Sequence, residues 1–279
     1  MTMSALENKV CLVTGAGSGI GTATAAALAA DGAVTVLVGR RRGLLDEVAA
    51  TIAAAGGTAH VAPAAVDDPA QVSALVDGVR ERVGPVDVLV NVAGVSSKAR
   101  NAQWLSDDDW DHVLRVNLSG VFALTRAVLP DMLARGAGTV ITVSSVAAVR
   151  PGLLSGPAYG AAKAGVVNFM NYLNASYRNE GIRATSILPG EVDTPILDNR
   201  PKSPSEQERA TMLRAEDVAA AVLLAASLPQ RAVVEELLIN PTHQRDLSGD
   251  IEASRWAGAP DAVRPDGRTS PAAEEPRLL

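Results

Sequence analysis

Tyr159 and Lys163 are two titratable side chains in the stretch AYGAAKAGVV, whose other residues are small or apolar. Positions i and i+4 of a helix share one face with their Cβ atoms about 5–6 Å apart, so the phenol and the ammonium can meet. At an effective dielectric constant of about 20, an ammonium about 5 Å away favours the phenolate by roughly 3 kcal/mol. The spacing therefore predicts a general acid or base whose pKa is lowered by Lys163.

The elements that must position this pair alternate along the chain. Short Val/Ile/Leu-rich runs such as VCLVTG, AVTVLVG and GTVITVSS predict strands, and segments of helical length separate them. These segments span residues 43–55, 69–83, 112–134, 157–180 and 214–228. Such alternation predicts a parallel sheet with helices on both faces, that is, one doubly wound α/β domain over residues 1–248. Residues 249–279 combine four prolines with mixed charge and no periodicity, which predicts a flexible C-terminal tail.

The composition disfavours several classes of protein. The formal net charge is −6, and the longest run of Lys and Arg is Arg40–Arg42, so a nucleic-acid partner is not expected. The N-terminus has no apolar leader, and the longest uninterrupted apolar run, VAAAVLLAA from Val218, is about half of a membrane span. Cys11 is the single cysteine, which rules out an intrachain disulfide and fits a reducing compartment. We therefore expect a cytoplasmic protein without a membrane partner.

A glycine-rich turn follows the first predicted strand in TGAGSGIG and opens a predicted helix, within a unit of about 30 residues. Glycines at such a turn let a dinucleotide pyrophosphate approach the backbone at the helix N-terminus. The spacing is GxxxGxG and not GxGxxG, and a tight turn without a ligand would show the same residues. At the end of the second strand, Gly39 and Arg40 replace the acid that holds the ribose 2′-OH of NAD. A guanidinium suits a 2′-phosphate, which favours NADP(H) over the alternative NAD(H).

Six motifs follow one another along residues 8–247. They are Thr14-Gly15-x3-Gly19-x-Gly21, NVAG at 91–94, Asn117 in RVNLSG, Ser145 in TVSSV, Tyr159-x3-Lys163 and PGEVDT at 189–194. In this order and spacing they resemble the short-chain dehydrogenase/reductase family. The resemblance implies a Rossmann-type three-layer α/β/α fold with a seven-stranded parallel sheet. It also implies hydride transfer between NAD(P) and a small-molecule carbonyl or alcohol.

The resemblance also assigns roles to residues of these motifs. It implies that the catalytic residues are Asn117, Ser145, Tyr159 and Lys163. Tyr159 would protonate the alkoxide that hydride addition to a ketone leaves, Lys163 would also hydrogen-bond the nicotinamide ribose, and Asn117 would hold a water-linked proton relay. The implied cofactor contacts are Gly15, Ser18, Gly19, Ile20, Gly21, Arg40, Val66, Asn91, Ala93, Gly94, Tyr159, Lys163, Pro189, Gly190, Val192 and Thr194.

The sequence departs from the family pattern at two places. Ala65-Val66 stands where family members usually carry Asp-Val near the adenine. The adenine contact is then either weaker or taken by Asp67. Ala148 stands at a position where glycine is common.

Three serines in the segment just before Tyr159 are candidates to polarise a substrate carbonyl, and spacing alone does not settle which one does so: they are Ser144, Ser145 and Ser155. The family's serine usually lies one residue closer to the tyrosine, at the position of Val146, so the loop that follows carries one extra residue. Ser145 then ends the predicted strand, at the edge where ligands bind in such sheets. Strand alternation turns Ser144 to the opposite face, and Ser155 is expected in a turn or at the substrate loop.

The substrate cavity is expected among three loops, which span residues 95–105, 149–158 and 195–212. Candidate apolar contacts in them are Trp104, Leu153, Leu154 and Ile196. The loops carry no cluster of charge that would predict a charged substrate. Segments 112–134 and 157–180 are Ala-rich and apolar on more than one face, and family members commonly pair through these helices. We therefore expect a homodimer or a homotetramer.

Other functions compete with this interpretation. An NAD-preferring alcohol dehydrogenase would differ in cofactor, whereas a non-catalytic NADP(H)-binding sensor or scaffold would not need both Ser145 and Tyr159. An epimerase or dehydratase of the family's longer branch is disfavoured by the three-residue gap in the glycine motif and by the lack of a C-terminal substrate domain. A metal site is not expected, because the histidines show no ligand spacing: they are His60, His112 and His243.

Overall fold

The computed structural model describes residues 4–264 of the 279-residue chain. Its strands are β1 Val10–Thr14, β2 Val34–Gly39, β3 Thr58–Pro63, β4 Val88–Asn91, β5 Gly138–Val143, β6 Ile182–Pro189 and β7 Glu236–Ile239. They pair in parallel into a seven-stranded sheet of order β3-β2-β1-β4-β5-β6-β7. The strand order reverses between β1 and β4, which opens a crevice at the carboxyl edge of the sheet. The predicted doubly wound sheet is confirmed.

Helices cover both faces of the sheet and complete the predicted three layers. They are α1 Gly19–Ala30, α2 Arg42–Ala54, α3 Pro69–Arg82, α4 Asp107–Leu114, α5 Gly120–Arg135, α6 Pro157–Tyr177, α7 Glu206–Arg209, α8 Ala215–Ser227 and α9 Ser248–Trp256. The helices α1, α2 and α8 pack on one face, and α3, α5 and α6 pack on the other. Side-chain caps fix some of the helix starts, as where Asp68 accepts hydrogen bonds from the first amides of α3.

Alternation along each strand divides the core into two clusters. In β1, Val10 and Leu12 enter the cluster beneath α3, α5 and α6, whereas Cys11 and Val13 enter the cluster beneath α1, α2 and α8. All four side chains are buried. A strand covered on both faces is therefore apolar at every position, as the sequence pattern predicts. This packing fixes the carboxyl ends of the central strands and the loops that follow them.

A π-helical turn at Arg115–Ser119 joins α4 and α5 without a break. The joined stretch Asp107–Arg135 has the length and apolar composition to cross a membrane, although half of its apolar window is buried inside the protein. A core helix of a soluble protein passes the same test, so this stretch is only weak support for a membrane segment.

The C-terminal segment differs from the predicted flexible tail over residues 249–264. In α9, Asp250 is 2% exposed and accepts two hydrogen bonds from Arg245. Asn101 also donates to the backbone carbonyl oxygen of Arg255 at 3.2 Å. Ion pairing with the body of the domain thus orders a segment whose sequence has little apolar periodicity. The rest of the predicted tail, residues 265–279, lies outside the described part of the chain.

Candidate active site

Two adjoining cavities open along the carboxyl edge of the sheet. The glycine-turn cavity, of about 300 Å³, is lined by the turn at residues 15–20. The tyrosine cavity, of about 520 Å³, is lined by Tyr159. Residues shared by both linings are Ile20, Val92, Gly94, Thr194 and Ile196. The two cavities therefore form one crevice, at the place where the strand order reverses.

Close backbone contacts shape the glycine turn. Gly15 has a φ of +66°, and a Cβ atom there would lie 3.0 Å from the backbone nitrogen of Ala93. A Cβ atom on Gly21 would collide with the carbonyl oxygen of Gly15. Glycine is therefore required at both positions. Gly21 supports the turn from inside α1 and lines neither cavity, whereas the cavity lining includes Gly15, Ser18, Gly19 and Ile20.

The start of α1 is open to an anion. Ser18 precedes the helix without capping it through its side chain, and the first turn holds no acidic residue. The first amides of a helix lack partners within the helix and carry the positive end of its dipole. Gly39, Arg40 and Arg41 line the same cavity at the end of β2. The amides at the start of α1 and the guanidinium groups at the end of β2 would both attract a phosphate.

The loop after β3 brings Val66 and Asp67 into the lining of the glycine-turn cavity. Ala65 is not part of that lining, and its backbone amide donates to Gln71 Oε1 at 3.0 Å. Asp67 is therefore the carboxylate that this loop presents to the cavity. This agrees with the sequence interpretation in which Asp67 takes the adenine contact in place of the usual Asp-Val pair.

The loop after β4 contributes Ala93 and Gly94 to the glycine-turn cavity. Asn91, also predicted to contact the cofactor, lies within β4 and is 2% exposed. Its Nδ2 donates to Thr142 Oγ1 at 3.4 Å, and the residue lines neither cavity. Its side chain is directed to Thr142 of the neighbouring strand β5, and residues that follow β4 line the crevice instead.

Ser145, Tyr159 and Lys163 all line the tyrosine cavity. Tyr159 lies in the first turn of α6, and Lys163, one turn later, places its Nζ 5.5 Å from the centroid of the Tyr159 ring. Lys163 is buried, and its Nζ donates to the carbonyl oxygen of Val143 at 2.8 Å. Ser145 follows β5 and lies beside the phenol of Tyr159, close enough for its hydrogen bonding to affect the phenol's pKa. The i, i+4 spacing has thus placed the two titratable groups side by side.

The direction of the Tyr159 pKa shift differs from the sequence expectation. Burial raises the pKa of Tyr159, and this effect exceeds the lowering by Ser145, Arg100 and Arg200. Burial also lowers the pKa of Lys163 to about 8. The predicted lowering of the Tyr159 pKa by Lys163 is therefore wrong, because desolvation of the two groups outweighs their mutual attraction. A raised pKa keeps the phenol protonated at neutral pH.

The other two candidate serines upstream of Tyr159 donate their hydroxyl hydrogens to backbone carbonyl oxygens. Ser144 is buried and donates to the carbonyl oxygen of Lys163 at 2.8 Å, and Ser155 donates to that of Gly152 at 2.8 Å. Ser145 instead accepts a hydrogen bond from the amide of Ala147 at 3.1 Å, which leaves its hydroxyl hydrogen for another acceptor. These positions agree with the placement of one extra residue in the loop after β5.

Asn117 lies in the π-helical turn and is 1% exposed. Its Oδ1 accepts from the amide of Val95, and its Nδ2 donates to the carbonyl oxygen of Val95, both at 2.8 Å. A Cβ atom built on Gly94 would lie 3.5 Å from Asn117 Oδ1 and 3.7 Å from Lys163 Nζ. The side chain therefore fixes the loop after β4 beside Lys163 and lines neither cavity. A proton relay through Asn117 stays a prediction.

The segment after β6 forms one wall of the tyrosine cavity. All four predicted cofactor contacts of this segment line it: Pro189, Gly190, Val192 and Thr194. Leu154 and Ile196 also line the cavity, as expected for apolar substrate contacts. Trp104 and Leu153, predicted on the same grounds, do not.

Sequence reasoning missed most of the charged residues that line the tyrosine cavity. They are Arg100, Arg150, Glu191, Arg200, His243 and Arg245. Glu191 joins two of the arginines, at 2.6 Å from Arg200 and 2.8 Å from Arg245. The expectation of loops without a charged cluster is corrected, because these residues come from four separate segments and no local pattern reveals them. Within residues 4–264, no group of three or more His, Cys, Asp or Glu side chains is placed to hold a metal ion.

Comparison with known proteins decides the family. The short chain dehydrogenase model matches residues 9–205. The chain belongs to the short-chain dehydrogenase/reductase family. This dehydrogenase/reductase is 35% identical over 241 residues to an uncharacterized oxidoreductase of Staphylococcus haemolyticus, an alignment that covers 86% of this chain and 100% of the relative. It is 36% identical over 245 residues to glycine betaine reductase ATRR of Emericella nidulans, which covers 85% of this chain but only 19% of that longer protein.

Solved structures share the fold. A metagenomic short-chain oxidoreductase in complex with NADP matches with a TM-score of 0.75 and 31% identity, over 86% of this chain and 100% of that one. A variant of actinorhodin polyketide ketoreductase with NADPH gives 0.77 and 31%, over 84% and 96%. An alcohol dehydrogenase of the archaeon Thermococcus sibiricus complexed with 5-hydroxy-NADP gives 0.76 and 29%, over 86% and 99%. This family member is thus an oxidoreductase that acts on CH–OH or C=O groups.

Proposed function

We propose that this chain is an NADP(H)-dependent oxidoreductase that transfers a hydride between the nicotinamide and a carbonyl or secondary alcohol, with Tyr159 as general acid and base. One observation carries the proposal: a single crevice joins Arg40 and the open start of α1 at one end to Ser145 and Tyr159 at the other. The NADP, NADPH and 5-hydroxy-NADP bound in the three solved relatives support a nicotinamide cofactor for this chain.

The residues of the glycine-turn cavity fit a dinucleotide that carries a 2′-phosphate. The amides at the start of α1 and the narrow turn at Gly15 would hold the pyrophosphate. Arg40 would meet the 2′-phosphate, which an acid at this place would repel. The nucleoside and the ribose would border Val66, Asp67, Ala93 and Gly94.

The tyrosine cavity supplies the proton chemistry, and the nicotinamide, when bound, supplies or accepts the hydride. The protonated Tyr159 phenol can donate to the oxygen on which negative charge develops during reduction. The Ser145 hydroxyl beside it can donate to the same oxygen and stabilise that charge. Lys163, while protonated, places a positive charge next to the Tyr159 ring, which favours the phenolate once its proton has left.

We also propose that this enzyme works in the cytoplasm, without a nucleic-acid or membrane partner, as a homodimer or homotetramer. The acidic composition argues against a nucleic-acid partner. The buried, unpaired thiol of Cys11 fits the reducing conditions of the cytoplasm. Exposed aromatic side chains on α5 and α6, Phe122 and Tyr172, support the oligomer.

The test is a screen of ketones and secondary alcohols with the reduced and oxidised forms of both cofactors, followed at the nicotinamide absorbance band. We expect turnover with NADPH, and a loss of about 100-fold to 10,000-fold in Tyr159→Phe with NADPH affinity almost unchanged, because only the proton donor is removed. Tyr172→Phe changes an exposed phenol on the same helix and should match the wild type. Full activity of Tyr159→Phe would exclude the assigned role, and tight NADPH binding without any turnover would establish the sensor or scaffold.

Cofactor preference tests the role of Arg40. Arg40→Asp should weaken NADPH binding and narrow or reverse the preference over NADH, because a carboxylate repels the 2′-phosphate and accepts from the 2′-OH. Arg42→Asp, at a neighbouring arginine outside the cavity lining, should keep the preference. Dissociation constants for both reduced cofactors, from their fluorescence, provide the measurement. Tighter binding of NADH by the wild type would establish the NAD-preferring alternative.

A further inference from the structure

Three arginines among residues 4–264 are at least nine-tenths buried: Arg100, Arg183 and Arg245. Two of them have full sets of partners. Arg245 forms ion pairs with Glu191 at 2.8 Å and with Asp250 at 2.9 Å. Arg183 donates through all three of its nitrogen atoms, to Thr139 and to backbone carbonyl oxygens at the end of α8. The environment of Arg100 is different.

Arg100 lies in the loop after β4 and is 4% exposed. Its Nη1 donates to the carbonyl oxygen of Ser155 at 2.9 Å and its Nη2 donates to Ser96 Oγ at 3.1 Å, but its Nε has no hydrogen-bond partner. In the described part of the chain, its guanidinium forms no ion pair with an Asp or Glu. Burial and the charge of Arg200 lower its pKa to about 10, so it remains charged at neutral pH. Among the described residues Arg183 also lacks a carboxylate, but each of its nitrogen atoms has an acceptor, whereas the Arg100 Nε has none, so an anionic acceptor would stabilise Arg100.

The position of this charge points to the substrate and not to the cofactor. Arg100 lines the tyrosine cavity, and it lies close enough to Tyr159 for its charge to lower the pKa of the phenol. It does not line the glycine-turn cavity, whose lining includes Arg40 and the turn before α1. Arg100 therefore lies in the wall of the cavity that Tyr159 also lines.

The rest of the tyrosine-cavity wall adds to the positive charge. Its cationic residues are Arg100, Arg150, Lys163, Arg200 and Arg245, and its carboxylate is Glu191. Glu191 and Asp250 neutralise Arg200 and Arg245 through ion pairs, which leaves Arg100 as the buried guanidinium without a carboxylate. An excess of positive charge in one cavity of a chain with net charge −6 favours an anionic ligand.

We propose that the substrate carries a carboxylate that pairs with Arg100 while its carbonyl lies against Ser145 and Tyr159. This inference rests on the proposed oxidoreductase function and narrows the substrate to oxo acids and the corresponding hydroxy acids. A carboxylate matches the guanidinium fork and supplies the counter-charge that Arg100 lacks. In reduction, the oxo acid gains a hydride at its carbonyl carbon and a proton from Tyr159 at its oxygen; it leaves as the hydroxy acid while NADPH becomes NADP⁺.

Matched substrates test the pairing. Oxo acids of increasing chain length are compared with their methyl esters and amides, which keep the ketone and remove the charge. The wild type should show kcat/KM about tenfold or more higher for an oxo acid than for its ester, the scale of one charged hydrogen bond. Arg100→Gln should abolish this difference by raising KM for the oxo acid more than KM for its ester. Arg100→Lys retains the charge and should keep part of the preference for the oxo acid over its ester. It also tests the pairing if Arg100→Gln does not fold. Arg82→Gln removes an exposed cation on α3, away from the cavity, and should leave the preference intact.

A binding measurement separates this inference from the proposed function. Calorimetric titration of the enzyme–NADP⁺ complex with simple alkanoates and their amides needs no turnover. We expect tighter binding of alkanoates by the wild type and no difference in Arg100→Gln. Equal or better turnover of the esters, or equal binding of amides, would overturn the carboxylate inference and leave the oxidoreductase function standing. Alkanoate binding through Arg100 without turnover of any carbonyl compound would instead overturn the oxidoreductase function.

Discussion

At the scale of single residues, the hydrogen bonds of the three serines decide which one can meet the substrate. Ser145→Ala should lower kcat by about a hundredfold or more, the cost of losing one donor to a developing oxyanion. Ser144 and Ser155 donate to backbone carbonyl oxygens, so Ser144→Ala and Ser155→Ala should stay within about tenfold of the wild type. Steady-state kinetics on the best substrate of the screen measures all three. A loss of kcat of about a hundredfold in Ser155→Ala would show that the extra loop residue has been assigned to the wrong position.

We predict that the titration of Lys163 makes cofactor binding depend on pH. Burial lowers its pKa to about 8, and a lysine is charged below its pKa and neutral above it. The affinity for the anionic NADPH should therefore fall, by roughly threefold to tenfold, as the pH rises from about 7 to 9.5, a range in which the 2′-phosphate stays ionised. Fluorescence titration measures the affinity at each pH. Lys163→Met should flatten the profile, whereas Lys98→Met, at an exposed lysine outside both cavities, should retain it. A flat wild-type profile would contradict the assignment.

At the scale of elements, α5 and α6 share an aromatic surface. Phe122 is 46% exposed and contacts Phe169 edge to face at a centroid distance of 5.8 Å, and Phe169 stacks on Tyr172 at 6.4 Å. Tyr172 is itself 54% exposed. A row of exposed rings on two adjacent helices is typical of an interface.

Substitution on this surface tests the proposed oligomer. Phe122→Glu should convert the oligomer to a monomer, because it would bury a charge at the centre of the contact. Val263→Glu adds the same charge at another exposed apolar residue and should leave the assembly intact. Light scattering at micromolar concentration gives the mass of each variant. A monomeric wild type would reject the oligomer.

At the scale of the whole molecule, α9 is held to the body of the domain by the ion pairs of Asp250. Burial would raise the pKa of Asp250, but Arg245 and Lys202 lower it overall, so the carboxylate contributes stability that is lost as the pH falls. Truncation after Ser248 removes this carboxylate and leaves Arg245 with fewer partners. The melting temperature should fall by on the order of 10 °C, the scale for breaking a buried pair.

Point variants distinguish the stability contributed by the ion pairs of Asp250 from that contributed by the rest of α9. Asp250→Asn should reproduce part of the loss, whereas Glu252→Gln, at an exposed carboxylate of α9, should change the melting temperature by about 2 °C or less. Differential scanning calorimetry at neutral pH measures each protein. A truncated chain as stable as the full chain would show that α9 contributes nothing to the stability of the domain.

The sequence by itself determined the fold and the inner part of the site. Strand alternation and helix spacing depend on neighbours a few residues apart, so a run such as VCLVTG was enough to predict β1. Tyr159 and Lys163 were visible as a pair because they occupy successive turns of one helix. The glycine turn was visible for a similar reason, since Gly15 and Gly21 contact each other within a short segment.

Only the tertiary structure decided the pKa shifts of Tyr159 and Lys163 and the charged part of the tyrosine-cavity wall. The direction of the Tyr159 pKa depends on how much water is removed from the phenol, and spacing along the chain does not report this. Arg100, Arg200 and Arg245 follow three different strands and meet because the parallel sheet brings the carboxyl ends of those strands to one edge. The same holds for α9: Asp250 pairs with Arg200 and Lys202, which lie far from it in the sequence, and its near neighbour Arg245 pairs with the distant Glu191. Desolvation and long-range ion pairing depend on distances that exist only once the sheet has formed.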